Sequence, residues 1–353
     1  MRSHGRTMKA LLLAGLVAVA GIGPHPAGAA GGGRVNGMIW VANRGTHTIA
    51  GFDADTGDLV HTVTMAPNSE PGDLAYAKGK LYVAEERGAA PAIAIVDARS
   101  GDVLGRIPMP LLSRPHHVHA SSGGNLVAVG LYGTDMVAVV DTHTDTLLGT
   151  WDSNPATSTA RIHAAVFSND ERTLYLSSDA TGEVVALDPR TGAFFWRLAV
   201  PAAHELAVTH NQRTLYVTRR TQNQLAVVHL DQDATIAPTS YQDVLALGLP
   251  DTLSLSANEK LLTVGLRTMP AHLAVVRVDT WPYTVELVRL SVNAQSEALT
   301  VGGHQWTAPS GRYTLATWEG GVNPGIAVIN HSNGNSVVRI PYPGRPNGVV
   351  HTP

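Results

Sequence analysis

The sequence predicts an all-β fold, a ring of seven four-stranded blades closed into a β-propeller. Three observations predict it. A short strand phrase recurs seven times along the chain. The copies are spaced by roughly 40–50 residues, the period of four-stranded blades. No long stretch carries apolar residues at helical spacing.

The phrase is clearest at Leu81-Tyr82-Val83-Ala84, Leu174-Tyr175-Leu176-Ser177 and Leu215-Tyr216-Val217-Thr218. Met38–Asn43 is a fourth copy, and the segments beginning at Leu126, Leu261 and Tyr313 are weaker ones. Each is followed by a second apolar run that ends in an acid or amide, such as Ile93–Asp97 or Ile326–Asn330. Several runs then show a Gly turn, as at Thr56-Gly57 and Ser100-Gly101, and a third run such as Val103–Ile107. Short β-branched runs between Gly, Asp and Asn turns read as strands. A single blade cannot bury both faces of its sheet, whereas a ring of blades does. The recurrent acid closing each second run, as at Asp97, Asp141 and Asp188, is expected to cap a turn.

The first copy starts directly on its second strand, at Met38. The C-terminal Arg345–His351 resembles an innermost strand with no blade after it. Together they predict that the last strand completes the first blade, so that both chain ends meet in one sheet.

These phrases resemble the YVTN-type propeller repeat, best at Thr214–Arg219, Trp40–Arg44 and Ile93–Gly101. The resemblance covers essentially the whole chain after the leader and implies the fold rather than a function. Its members include surface-layer-like and periplasmic binding proteins. More distantly, the chain is similar to the propellers of haem-type nitrite reductases and of nitrous oxide reductase, which carry histidines centrally. Departures from the pattern are the eroded sixth and seventh copies and the 16 histidines.

Residues 1–29 read as a secretory leader: Arg2, Arg6 and Lys9, then a short apolar run to Ile22, then Ala27-Gly28-Ala29. Residues 30–353 are expected to form one propeller domain in a periplasmic or extracellular space. No later stretch is apolar enough to span a membrane. The 25 Lys and Arg are scattered and the net charge is −3, which argues against a nucleic-acid partner. The absence of Cys excludes disulfides, thiolate metal sites and c-type haem attachment. The sequence shows no G-x-S-x-G elbow, H-E-x-x-H or P-loop.

Aligning the innermost strands brings His116, His163 and His204 to one repeat position on consecutive blades, with Asp251 at that position on the next. The same position holds Gly72, Asn347 and Gly303, with His304 beside the last. His116, His163, His204, Asp251 and His304 are therefore the candidate metal ligands at the channel mouth. Imidazole suits Cu, Zn, Fe and Ni; haem is a further candidate through the resemblance, although no electron-donating domain is seen. His117 and His119 are expected chiefly to stack between blades. The loops sharing this face carry Glu85, Glu86, Arg219, Arg220, Arg267 and Glu319. Glu85, Glu319 and Arg219 are the candidate catalytic groups, as bases or anion clamps; Trp318 would stack on a ligand or pack between blades.

The leading expectation is an exported propeller that binds a metal ion or small anion through the histidines. A metal-dependent lyase, hydrolase or oxidoreductase using the same site is the alternative. A protein-interaction or surface scaffold is the third.

Overall fold

The computed structural model describes residues 36–353 apart from 89, 154–160, 291–300 and 321–322. The leader expected over residues 1–29 lies outside the described residues. Seven four-stranded antiparallel sheets form the ring. Blade 2 is typical: β4 (Pro71–Ala77) lies innermost, followed outward by β5 (Lys80–Glu85), β6 (Ala92–Asp97) and β7 (Val103–Pro108). Blade 3 runs β8 (Pro115–Ala120) to β11 (Thr146–Asp152), and blade 4 β12 (Ile162–Phe167) to β15 (Phe194–Ala199). Blade 5 runs β16 (Ala203–Val208) to β19 (Tyr241–Ala246), and blade 6 β20 (Pro250–Leu255) to β23 (Thr284–Arg289). Blade 7 runs β24 (Val301–Thr307) to β27 (Ser336–Pro341).

Blade 1 is composite. The C-terminal β28 (Pro346–Thr352) is its innermost strand, paired with β1 (Met38–Asn43), then β2 (Thr48–Asp53) and β3 (Leu59–Thr64). The closure expected from the orphan C-terminal strand is the observed one. Asn43, fully buried, fastens it: its Oδ1 accepts from Arg345 N at 2.8 Å and its Nδ2 donates to Pro343 O at 2.8 Å.

The second and third strands of each blade are buried almost throughout, while the outermost strand is far more exposed, as β5 and β7 show. The core therefore lies between blades. Trp40, Ile49, Leu81 and Val83 fill the space between blades 1 and 2, and Tyr82, Ile95, Val127 and Val129 that between blades 2 and 3. Each such side chain contributes about 1.5–3 kcal/mol on burial. The recurrent acids cap turns as expected: Asp97 Oδ1 accepts from Arg99 N and Ser100 N, and Asp188 Oδ1 from Arg190 N and Thr191 N. Gly101, at φ +77°, closes that turn in the left-handed region that favours glycine.

One irregularity recurs in all seven blades. Near its start the innermost strand carries one extra residue against its partner, as where Ala203 pairs with Arg219 but Leu206 with Val217. The same skip occurs in the other six. Such a bulge leaves backbone groups without ladder partners and re-aims the side chains it holds. Buried hydroxyls on the second strands take up those groups. Thr218 Oγ1 accepts from Glu205 N at 2.8 Å and donates to Asp251 O of the next blade at 3.0 Å. Ser177 does the same between Ala164 N and His204 O, and Thr317 reaches Asn347 O. Thr218→Val keeps the shape but strands a buried N–H and a carbonyl. It is expected to cost about 2 kcal/mol of stability, read from urea unfolding; an unchanged midpoint would show that the hydroxyl bridge contributes nothing.

Candidate functional site

The bulges build two stacked layers of polar side chains in the channel. The first bulge residue of each innermost strand gives the upper layer: His116, His163, His204 and Asp251, with Gly72, Asn347 and Gly303. These are the residues that the repeat alignment brought to one position. The second bulge residue gives a lower layer, Asp73, His117, Glu205 and His304. Of that layer only His304 was among the candidate ligands read from the sequence.

In the upper layer the rings of His163 and His204 stack with centroids 3.6 Å apart, and His116 lies 5.1 Å from His163. His163 Nδ1 donates to His204 O at 3.1 Å. Burial, reinforced by the neighbouring imidazoles, pushes His163 well below its ordinary value and keeps it neutral. His116 is also lowered by burial, although Glu86 opposes this. The carboxylates of this level are each shared by two arginines. Asp251 lies 2.8 Å from His204 Nε2, 2.9 Å from Arg220 and 3.3 Å from Arg267. Glu86 contacts Arg44, Arg114 and His116 at 3.0, 2.5 and 3.3 Å. Burial works against ionisation of both acids, but these partners outweigh it and hold both well below the usual carboxylate range.

The lower layer contains no arginine. Asp73 Oδ2 is 3.2 Å from His117 Nδ1, and Asp73 Oδ1 is 3.1 Å from His304 Nδ1. Glu205 Oε2 lies 2.8 Å from His117 Nε2. Both atoms are buried, and Glu205 Oε2 also lies 4.0 Å from His163 Nδ1. The rings of His117 and His304 stack at 4.8 Å. Asp73 and Glu205 are 5 % and 4 % exposed. Burial alone would lower His117, but Glu205 and Asp73 outweigh it and push it up to about 9. Asp73, His117 and His304 offer ligand atoms within 4.8 Å of one another. Among the described residues they are the set of three that meets this condition.

Cavities lie on both sides. A volume of about 620 Å³ below reaches Asp73, His117, Glu205 and His304 and continues between Phe167, Trp306 and His119. Burial and the charge on His117 push His119 down to about 4, and its ring lies 6.2 Å from Phe167. A volume of about 460 Å³ above has His116, His163 and His204 as its floor, Tyr132 and Leu249 as its sides, and Arg220 and Arg267 at its rim.

The other candidates sit elsewhere. Glu85 is fully buried against Arg106 of β7 at 3.0 Å and Ala66 N at 2.8 Å. Arg219 donates from Nη1 to both carboxylate oxygens of Asp243 on β19 and lies over the Tyr241 ring at 4.7 Å. Both thus turn toward the outermost strands, because alternate residues of a strand face opposite ways. Their neighbours Glu86 and Arg220 are the ones that reach the histidines. Glu319 stays at the rim, bridging Arg267 at 3.5 Å and Arg345 at 3.1 Å. Trp318 packs between blades, with its Nε1 donating to Asn323 O. His117 stands in the channel rather than stacking between blades, because the bulge turns it inward. Asp73 and Glu205 were missed, and their signal was the residue following the aligned position in each repeat.

Residues 29–198 and, overlapping them, 92–244 match the PQQ_2 family model, described as outer membrane protein assembly factor BamB. Together the matches span well over half of the chain. The chain belongs to the PQQ_2 family. The PQQ_2 match ends within β19, before the two blades whose repeats are the most eroded. The YVTN-type likeness remains a resemblance of phrases beside it. No curated protein matches the sequence. Among solved structures, a hypothetical selenium-binding protein from Sulfolobus tokodaii is 13 % identical with a TM-score of 0.71, over 90 % of this chain and 94 % of that one. Kuenenia stuttgartiensis hydrazine synthase is 15 % identical with a TM-score of 0.65, over 87 % of this chain and 92 % of that one. Dihydro-heme d1 dehydrogenase NirN, solved with DHE, is 15 % identical with a TM-score of 0.60, over 89 % of this chain and 75 % of that one. At these identities the likeness shows the fold.

Proposed function

We propose that this protein binds a divalent first-row metal ion in its channel, on Asp73, His117 and His304 with Glu205 beside them. One observation carries the reading. The upper carboxylates are each neutralised by two arginines, whereas the only cationic side chains that meet Asp73 and Glu205 among the described residues are imidazoles, beside one backbone N–H apiece. Two buried carboxylates met by imidazoles and by no guanidinium or ammonium are costly in a low-dielectric site. A divalent cation would balance the layer. Two imidazoles with a carboxylate suit Fe(II) or Zn(II) and leave coordination positions open. The ion would supply Lewis acidity toward a molecule in the adjoining cavity. The upper histidines would position that molecule; haem is not needed to account for the donor set. The leader supports the further reading that this happens outside the cytoplasm.

The test is elemental analysis of protein made without a His-tag and without chelators. About one equivalent of metal is expected, with loss in Asp73→Asn and retention of cooperative unfolding. Stripped wild type titrated with Zn²⁺ or Fe²⁺ should gain about 2.7 kcal/mol at a hundredfold excess over Kd, seen as a rise in Tm. No metal as purified, with no uptake of Zn, Fe, Cu or Ni, would overturn the proposal. Turnover of any substrate by the loaded protein would separate an enzyme from a binding module.

A further inference from the structure

We infer that the cavity above the histidines is a binding site for a small planar organic carboxylate, lying on the imidazole floor and gripped by Arg220 and Arg267. Its volume of about 460 Å³ falls within the range of about 300–1,000 Å³ typical of small-molecule sites. Its walls are mostly flat rings. Tyr132 lies 5.1 Å from His116 and 6.0 Å from His163, so three unsaturated faces converge. Leu249, 42 % exposed, supplies an apolar edge at the mouth.

The rim is short of negative charge. Among the described residues, Arg44, Arg114, Arg220, Arg267 and Arg345 are matched by only Glu86, Asp251 and Glu319. Asp179, 3.0 Å from the Tyr132 hydroxyl, and Arg161, over the Tyr132 ring, offset one another. Within this described set, five guanidiniums against three carboxylates leave an excess of two positive charges on a chain whose net charge is −3. Arg220 meets Asp251 and His204 through Nη1 alone among its contacts with described residues. Buried Arg44 Nε and Arg114 Nε have no partner. Arg220 and Arg267 keep about a third of their side-chain surface exposed, at 34 % and 35 %. A guanidinium with unspent donors at the mouth of a flat-walled cavity is the arrangement that takes a carboxylate bidentately. Phosphate or sulfate would satisfy the charge but leave the ring faces uncovered. The site adjoins the proposed metal without depending on it, since the arginines and the cavity stand without the ion.

The experiment is calorimetric titration of phthalate, benzoate, benzamide and sulfate into metal-stripped and metal-reloaded protein. Phthalate and benzoate should bind one to one in both preparations, with benzamide and sulfate at least tenfold weaker. Leu249→Asp should weaken phthalate at least tenfold. Leu249 sits at φ +46°, a conformation that Asp tolerates better than Leu, and the change removes no ion pair. Arg220→Gln with Arg267→Gln should do the same with circular dichroism unchanged. Equal binding of benzamide or sulfate, or unchanged phthalate binding by Leu249→Asp, would overturn the inference. So would silence from both carboxylates. Binding confined to reloaded protein would place the anion on the metal and not on the arginines, sinking this inference while supporting the metal. Phthalate binding by a protein that takes up no metal would leave the anion site standing alone.

Discussion

A chain ending at Arg345 is expected to give no cooperatively folded protein. The missing β28 supplies the innermost strand of blade 1, with Val349 and Val350 in the cores on its two sides. Its loss exposes the β1 edge along Met38–Asn43 and removes the inner strand between those of blades 7 and 2. Pro343 O and Arg345 N, which the Asn43 side chain holds, remain in the shortened chain but lose the strand that keeps them in place. The ring then opens, so every blade loses the geometric constraint that fixes its neighbours. Domains hold about 5–15 kcal/mol in total, less than the sum of these losses. Near-UV circular dichroism and urea unfolding check this. A sharp transition at an unchanged midpoint would mean that the closure is ornamental. A peptide covering 343–353, added in trans, should restore part of the signal.

The second large effect is expected at Asp251→Ala. Asp251 is 4 % exposed and is the shared anion of His204, Arg220 and Arg267. Removing it leaves the partly buried Arg220 without a carboxylate and Arg267 with Glu319 alone, which costs about 3 kcal/mol. The pH dependence carries a sign. Asp251 and Glu86 are held below their ordinary values by their partners. Their contribution is therefore fully present above the unfolded values of about 4 and is lost as pH falls toward the folded ones. Wild type should weaken steadily below about pH 4, and the variant, lacking one of the two carboxylates, should weaken with a shallower slope. Parallel acid profiles for the two proteins would show that Asp251 contributes no linkage.

The repeat made the blades legible because each strand has to bury both faces between neighbours, and that demand writes the same apolar phrase seven times. The composite blade was legible from an orphan strand at one end and a missing one at the other. The upper layer followed from aligning strand starts. The lower layer, His304 apart, did not, because a strict two-residue alternation turns His117 and Glu205 away from the axis, and only the extra bulge residue brings them back. Glu85 against Glu86, and Arg219 against Arg220, show the same limit at the strand ends. Adjacent charged residues face opposite ways, and the one that faces the channel is decided by the last hydrogen-bonded pair, as in Arg219 with Gln224. The pairing of Asp73 with His304 spans 231 positions and exists only because the ring closes.

The composite blade also fixes how the molecule responds to pulling. Met38 pairs with Thr352, so the two ends of the domain leave the same edge of one antiparallel ladder. A force drawn between them loads the Met38–Thr352 rung first, then His351 with Ile39, one rung at a time. The ladder opens like a zipper and does not resist as a block in shear, so the domain should yield at low force, β28 first. Pulled from the turns of blade 4, across the ring, the same fold would have to shear whole blades past one another and should hold far longer.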